Sequence, residues 1–353
     1  MIKNNSPYSL AKKEKEAFLT QELNSLFQHH YANCLPFKKS MEAQDYNPLH
    51  NYNYYDLPFL PVRLFKLYDL KSIPDEAVFK TLTSSGTSGQ TVSRIFLDKE
   101  SSANQIKTLA KIVSSYTGQK RQAMLIIDSG AVLKNRELFS ARGAGILGFS
   151  MFGTDLTYGL NDKMELDIEK VKNFIERHKG KPILLFGFTF IVYEYFFKAL
   201  LESGINLDLS NAILIHGGGW KKMISASVTP DVFKENLNAV CNITKIYDYY
   251  GMVEQTGTVY MECDEGVLHA SDFSDIIIRR EKDFSVASFH EKGIIQVIST
   301  LPKSYPGQSL LTEDEGYILG EDDCKCGKKG KYFKITGRIK NAELRGCSDT
   351  YGN

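Results

Sequence analysis

The chain has 353 residues, 42% of them hydrophobic and 24% charged, enough for one large domain or two smaller ones around a sizeable core. Forty-three basic side chains balance forty-two acidic ones for a net charge of +1, so electrostatics favours neither nucleic acid nor an anionic membrane as partner. No apolar run is long enough to span a membrane, residues 1–16 are polar and Lys-rich, and six cysteines are too sparse for a disulfide scaffold; the expectation is a cytoplasmic chain whose cysteines are reduced or bind metal.

In chain order, Leu10, Phe18, Leu19, Leu23, Leu26 and Phe27 fall at near-helical spacing and predict an amphipathic packing helix over 9–30. Residues 47–70 are rich in Tyr and Pro, and Leu57-Pro58-Phe59-Leu60-Pro61 forbids a continuous helix, so an extended segment over the core is expected. Next comes Thr83-Ser84-Ser85-Gly86-Thr87-Ser88-Gly89, running on through Arg94. Glycine lets the backbone approach phosphate oxygens, and Ser and Thr add hydroxyl donors without bulk. The competing reading is a flexible Ser/Gly surface turn. The stretch lacks the Gly-Lys-Ser/Thr ending of a P-loop and the three glycines of a dinucleotide fingerprint.

Asp98 is placed to cap a helix running to about Tyr116, ended by Gly118. A buried strand is expected at 123–127 and a helix from an Asp162/Glu165 capping box to His178. Then follow a strand at 182–188, a helix at 189–203 stopped by Gly204, and strands at 212–216 and 243–249. Such alternation predicts an α/β fold, a parallel sheet flanked by helices, with ligands beyond the carboxyl ends of its strands. The glycine-rich breaks after His216 and after Tyr250 lie at such ends. His216 reads either as a base or adenine-pocket residue, or as a hydrogen-bonded residue fixing the glycine turn. Gly217, Gly218 and Gly219 read as close backbone approach to a flat ligand, and Gly143, Gly145, Gly148 and Gly153 as room for an acyl chain. From Val267 onward, short alternating runs at 275–280, 293–299 and 317–319 predict a small antiparallel sheet or barrel.

Cys263, His269, Cys324 and Cys326 supply four soft ligands of the kind tetrahedral Zn²⁺ takes, a candidate structural site set against the reading of unrelated thiols and a surface histidine.

The motifs occur in the order found in the adenylate-forming superfamily. Ser84 to Gly89 resembles its phosphate-gripping loop, although Gln90, Thr91 and Val92 stand where many members have a lysine. Tyr250-Gly251-Met252-Val253-Glu254 resembles the loop whose aromatic residue meets adenine and whose glutamate meets Mg²⁺, Thr312-Glu313-Asp314 the element whose acid holds the ribose hydroxyls, and Gly337-Arg338 the hinge whose arginine does likewise. Within that superfamily the chain resembles the acyl-protein synthetases of the LuxE type. Pro58-Phe59-Leu60-Pro61 with Phe65-Lys66, Ile215 to Lys222, Tyr250 to Gln255, and Arg345-Gly346-Cys347-Ser348-Asp349-Thr350 carry that likeness.

The resemblance implies a large ATP- and acyl-binding domain over 1–335, made of an N-terminal region 1–80, an α/β core 81–260 and a small β subdomain 261–335, with a hinge and short tail over 336–353. It further implies activation of a long-chain fatty acid by ATP and Mg²⁺, transfer of the acyl group to Cys347 as a thioester, and delivery to a partner reductase. Glu254, whose plainer reading is a helix-opening acid, would hold Mg²⁺. Arg94, Lys221, Lys222 and Lys340 are candidates for the charge needed when two anions meet at the α-phosphate. A thiolate suits the second step, favoured here by Arg345 and opposed by Asp349; an inconsequential tail cysteine is the plain alternative. Val253 departs from the Thr or Ser often found there, and the small C-terminal domain of larger relatives is not expected within these residues. Two rival functions remain: transfer of the acyl group to coenzyme A or a carrier, and a non-catalytic ATP- or acyl-binding subunit.

Overall fold

The computed structural model describes residues 6–84, 91–134, 141–220 and 227–339. They divide into two compact units, one holding 6–84, 91–115 and 251–339, the other 116–250. In chain order the strands are β1 (Leu60–Pro61), β2 (Lys80–Thr83), β3 (Arg94–Leu97), β4 (Gln122–Ser129), β5 (Gly153–Leu160), β6 (Ile183–Phe188) and β7 (Ala212–Gly217). After them come β8 (Lys245–Tyr250), β9 (Tyr260–Glu262), β10 (Leu268–His269), β11 (Ser274–Arg279), β12 (Gly293–Ser299), β13 (Ser309–Glu321) and β14 (Lys331–Arg338).

The unit of 116–250 is the expected parallel sheet, with strand order β5-β4-β6-β7-β8. Continuous apolar runs such as Ile183 to Phe186 and Ala212 to Ile215 are buried throughout, as strands covered on both faces require. Helix Ile168–Arg177 starts later than the Asp162/Glu165 box predicts: its cap is Asp167, whose side chain accepts from the Lys170 amide at 3.1 Å. The residues before it form a tight turn instead, because Asn161 Oδ1 accepts from the amides of Lys163 and Glu165 and satisfies them outside a helix. Asp162 accepts from the Ser129 hydroxyl. The helix predicted at 189–203 is interrupted by a π-helical stretch, Val192–Phe197, and ends as expected at Gly204 with φ +66°.

Strand β5 has no counterpart in the sequence reading. Its residues, Gly-Thr-Asp-Leu-Thr-Tyr-Gly-Leu, lack an apolar run, as befits a sheet-edge strand. The acyl-space reading fails at two of its glycines, Gly153 on β5 and Gly145 on helix Ala141–Ser150, while a Cβ on Gly148 would meet nothing within 4 Å. A Cβ on Gly153 would lie 2.6 Å from Met124 Cβ, and one on Gly145 3.0 Å from Phe188 Cζ, so protein already fills those volumes.

In the other unit, six antiparallel strands run β11-β12-β13-β14-β10-β9, and β2 and β3 form a separate hairpin. The Pro-rich segment is extended only at β1, which joins β13 in parallel at Leu60↔Leu310; Leu64–Leu67 then makes one helical turn. The N-terminal helix spans Lys12–Asn33 and buries Leu19, Leu23, Leu26 and Phe27.

A buried ionic cluster fastens this helix to the sheet. Lys331 donates to Asp275 Oδ2 at 2.6 Å and to the Ile276 carbonyl at 3.0 Å, while the Tyr54 hydroxyl donates to the same carboxylate. Lys15 Nζ reaches the Ala270 carbonyl at 3.2 Å and lies 3.7 Å from Asp275 Oδ1. Burial alone would raise the Asp275 pKa, but the two ammonium groups outweigh it and hold the carboxyl below its usual range. Burial pulls Lys15 below the ordinary lysine value; Lys331, equally buried, is instead held above it by the aspartate.

Candidate active site and metal centre

In the parallel unit, β4, β6, β7 and β8 end at the same edge, with Phe188, Gly217 and Tyr249 side by side in register and Gly187, His216 and Asp248 one step before them. Thr189 follows β6 directly. Its hydroxyl donates to the Gly217 carbonyl at 3.1 Å and so must accept from His216 Nδ1 at 2.9 Å. That fixes the Nδ1–H tautomer and leaves Nε2 as a buried acceptor. His216 thus ties the start of the glycine turn, the second of its two sequence readings. Burial, with Lys234 adding to it, pushes its pKa down to about 3, so the ring is neutral.

The three glycines differ in purpose. A Cβ on Gly217 would lie 2.6 Å from the Tyr249 ring, so this position is glycine because the adjacent strand occupies the space. Gly218 and Gly219 adopt φ +86° and +61°, which glycine alone takes at little cost. Also at this edge, Asp128 receives Arg142 through two nitrogens, Nε at 2.7 Å, in a fully buried pair that the sequence did not reveal.

Two buried histidines make a testable pH effect. His30 Nε2 donates to the Pro302 carbonyl at 3.1 Å and Nδ1 accepts from Ser72 at 2.7 Å, and burial lowers its pKa to about 3, as it does for His216. Between that value and about 6.5 the unfolded chain binds a proton that the folded chain does not, so stability is full above about pH 6.5 and falls as pH drops through the window. Each histidine contributes up to about 1.4 kcal/mol per pH unit. Denaturant titrations at about pH 7.5 and 5 should therefore show a smaller pH-dependent loss for His30→Gln than for the parent, by about 2 kcal/mol. Identical losses would refute the assignment.

In the other unit, Ser84 closes the neck of the hydroxyl-rich loop: its amide donates to the Ser93 carbonyl at 3.1 Å and its Oγ accepts from the Ser93 amide at 2.9 Å. Ser85, Gly86, Thr87, Ser88 and Gly89 lie outside the described residues, as do Lys221, Lys222, Lys340, Arg345, Cys347 and Asp349. Arg94 is engaged by Asp69 at 2.7 Å and half exposed. Glu254, on the short 3₁₀ turn Val253–Gln255 after Gly251, is 4% exposed. Its neighbour Gln255 anchors that turn by donating to the carbonyls of Val297 and Gly307.

Asp314 and Arg338 are direct cross-strand partners on β13 and β14, with Arg338 Nε 3.2 Å from Asp314 Oδ1. The sequence reading missed the residue that orders them. Glu313, only 4% exposed, accepts from Arg338 Nη2 at 2.8 Å and from Arg63 Nε. Glu313 is the last of five successive buried residues on β13, while its neighbour Asp314 is partly exposed. One buried carboxylate thus aligns two guanidinium groups and leaves a partly exposed acid beside them.

The structure brings all four candidate metal ligands together. The ligand atoms of Cys263, His269, Cys324 and Cys326 lie within 4.8 Å of one another, Cys263 Sγ 3.9 Å from Cys324 Sγ and Cys326 Sγ 3.4 Å from His269 Nε2. His269 is fully buried and stacked on Tyr332, which excludes the surface-histidine reading.

The model of the family described as acyl-protein synthetase, LuxE, matches residues 1–353. The chain belongs to this family. It is therefore an AMP-forming ligase. Among curated proteins, a long-chain-fatty-acid–luciferin-component ligase of Vibrio harveyi is 23% identical, the match covering 97% of this chain and 89% of that protein. The protein of the same name from Aliivibrio fischeri is 24% identical over 84% of this chain and 78% of its own length. Among solved structures, 2-hydroxyisobutyryl-CoA ligase, crystallised in an open conformation with 2-HIB-AMP and CoA, superposes with a TM-score of 0.72 at 14% identity, covering 97% of this chain and 80% of that one. A long-chain-fatty-acid-CoA ligase from Archaeoglobus fulgidus gives a TM-score of 0.50 at 15% identity over 75% of this chain and 52% of that one. The LuxE-type chain thus has the fold of the adenylate-forming ligases, as its motif order implies. No helix among its described residues is long and apolar enough to cross a membrane.

Proposed function

We propose that this LuxE-family chain, acting in the cytoplasm, activates a long-chain fatty acid with ATP and Mg²⁺, holds the acyl group as a thioester on Cys347, and hands it to a partner acyl reductase. The observation that carries the reading is the family match over the whole chain, together with curated relatives whose name specifies a long-chain fatty acid.

In the first step a carboxylate oxygen of the acid attacks the α-phosphorus of ATP, and pyrophosphate leaves with the electrons of the bond it breaks. Two anions approach each other, so the protein must supply positive charge and hydrogen-bond donors. Ser84, Ser85, Gly86, Thr87, Ser88 and Gly89 are assigned to the phosphates, Gly217, Gly218, Gly219, Tyr250 and Gly251 to the adenine, and Asp314 with Arg338 to the ribose hydroxyls. A carboxylate accepts from a diol while a guanidinium donates to it, and the cross-strand placement of Asp314 and Arg338 suits both tasks. Arg94 is assigned to charge neutralisation; its pairing with Asp69 would have to open for that. Mg²⁺, when bound, supplies further neutralisation of phosphate charge. Glu254 offers it a hard oxygen ligand on a buried, well-anchored turn, which fits its preference.

In the second step the Cys347 thiolate attacks the acyl carbonyl carbon and AMP leaves. The proton lost by the thiol passes to solvent or to the departing phosphate. Fatty-acid-dependent pyrophosphate release from Mg-ATP tests the first step. It should occur with the parent chain, and Glu254→Gln should lower kcat by about 10- to 100-fold with ATP binding retained. ATP binding without pyrophosphate release for any chain length of acid would overturn the reading in favour of a non-catalytic subunit.

A further inference from the structure

The antiparallel unit contains two turns built alike and set face to face. In one, Cys263 is followed three residues later by Gly266 at φ +69°, whose amide donates back to the Cys263 carbonyl at 2.9 Å. In the other, Cys324 is followed three residues later by Gly327 at φ +80°, whose amide donates to the Cys324 carbonyl at 3.0 Å. Both turns aim a backbone N–H from two residues on, that of Glu265 or Cys326, at the leading sulfur. Amides curled around a sulfur supply the outer hydrogen bonds that a metal-bound thiolate accepts. His269 on β10 and Cys326 in the second turn complete the set.

The separations fit a common tetrahedral centre. With metal–sulfur bonds of about 2.3 Å and a metal–nitrogen bond of about 2.05 Å, tetrahedral edges are about 3.8 Å between sulfurs and about 3.5 Å between sulfur and nitrogen. The observed edges are 3.9 Å for Cys263–Cys324 and 3.4 Å for Cys326–His269. A disulfide would need about 2.05 Å between sulfurs. Three thiolates and a neutral imidazole around a divalent ion leave one net negative charge, and Lys15 and Lys328 lie close enough to act electrostatically on His269.

We propose that Cys263, His269, Cys324 and Cys326 bind one Zn²⁺ as a closed structural site that clamps the β9–β10 hairpin to the loop joining β13 and β14. The ligand set leaves no open position, so the ion takes no part in the ligase chemistry. Its effect is on the β13–β14 hairpin: the metal holds the loop end, and Glu313, Asp314 and Arg338 sit at the opposite end of the same two strands. The clamp therefore supports the strands that present Asp314 and Arg338, without touching either.

The test is metal analysis of the full chain purified without chelators. About one zinc per chain is expected, released stoichiometrically when a mercurial modifies the thiols, and Cys324→Ser/Cys326→Ser should retain less than about a fifth of it while Cys34→Ser retains it all. Cobalt exchanged into the site should show the intense visible bands of tetrahedral thiolate coordination, and zinc removal should lower the melting temperature by several degrees. Absence of metal from the parent chain with no uptake from buffered zinc, iron in place of zinc, full zinc retention by the double variant, or a Cys263–Cys324 disulfide in non-reducing peptide mapping would each overturn the proposal. Should the double variant fail to fold, the parent's zinc content and cobalt spectrum decide alone.

Discussion

Cys347→Ser should abolish the covalent acyl-enzyme while leaving fatty-acid-dependent pyrophosphate release within about twofold of the parent rate. The first half-reaction involves only the acid, ATP and the groups around its phosphates, so a residue that acts on the finished adenylate has no part in its barrier. The second half-reaction needs a nucleophile that is partly ionised near neutral pH. A thiol meets that condition and a serine hydroxyl without an adjacent base does not. Intact-mass measurement after incubation with Mg-ATP and a mixture of fatty acids reads the first quantity, and a pyrophosphate-release assay on the same mixtures reads the second. The parent should gain an acyl mass that hydroxylamine removes, and that mass identifies the acid. An equal gain on the serine variant would move the acceptor to another residue; undiminished transfer to coenzyme A by that variant would favour the acyl-CoA reading.

Asp275→Ala should cost about 3–5 kcal/mol of folding stability, enough to unfold much of the protein at ordinary temperature. The carboxylate answers two buried ammonium groups, Lys331 at 2.6 Å and Lys15 at 3.7 Å, and a tyrosine hydroxyl. Removing it strands both charges away from water. Lys15→Met should behave differently, because burial already disfavours the charged form of this lysine and an unbranched apolar chain of similar length fills the same volume. A change under about 1.5 kcal/mol is expected for it. Urea denaturation of the two variants under one set of conditions compares them. Equal losses would show that helix Lys12–Asn33 is held by the Lys15 charge and not by packing.

Some of this architecture is readable in the order of residues. Strands β4, β6 and β7 declare themselves because a strand buried on both faces must be apolar along its whole length, and a run such as Ile213-Leu214-Ile215 admits few other readings. Gly204 ends its helix through its own backbone freedom, and the order of motifs from Thr83 to Arg338 carries the family. The four metal-ligand candidates were visible as residue types, though separated by as many as 63 positions, from Cys263 to Cys326.

Other features exist only once distant segments meet. Strand β5 is polar because it lies at a sheet edge, so no local pattern marks it. Asp167 displaced Asp162 as a helix cap because Asn161 satisfied the intervening amides first. Gly217 must be glycine on account of the Tyr249 ring, which arrives from a strand 32 residues later. Glu313 looks like one more acid beside Asp314 until Arg63, 250 positions away, comes to meet it. The sequence by itself determined what turns on a residue's own backbone or apolarity: the buried parallel strands, the glycine stops and the family. The tertiary structure alone decided which charges are buried together, which glycines make room for a neighbour, and that three cysteines and a histidine lie within 4.8 Å of one another, because burial and proximity are properties of the packed chain and not of any residue within it.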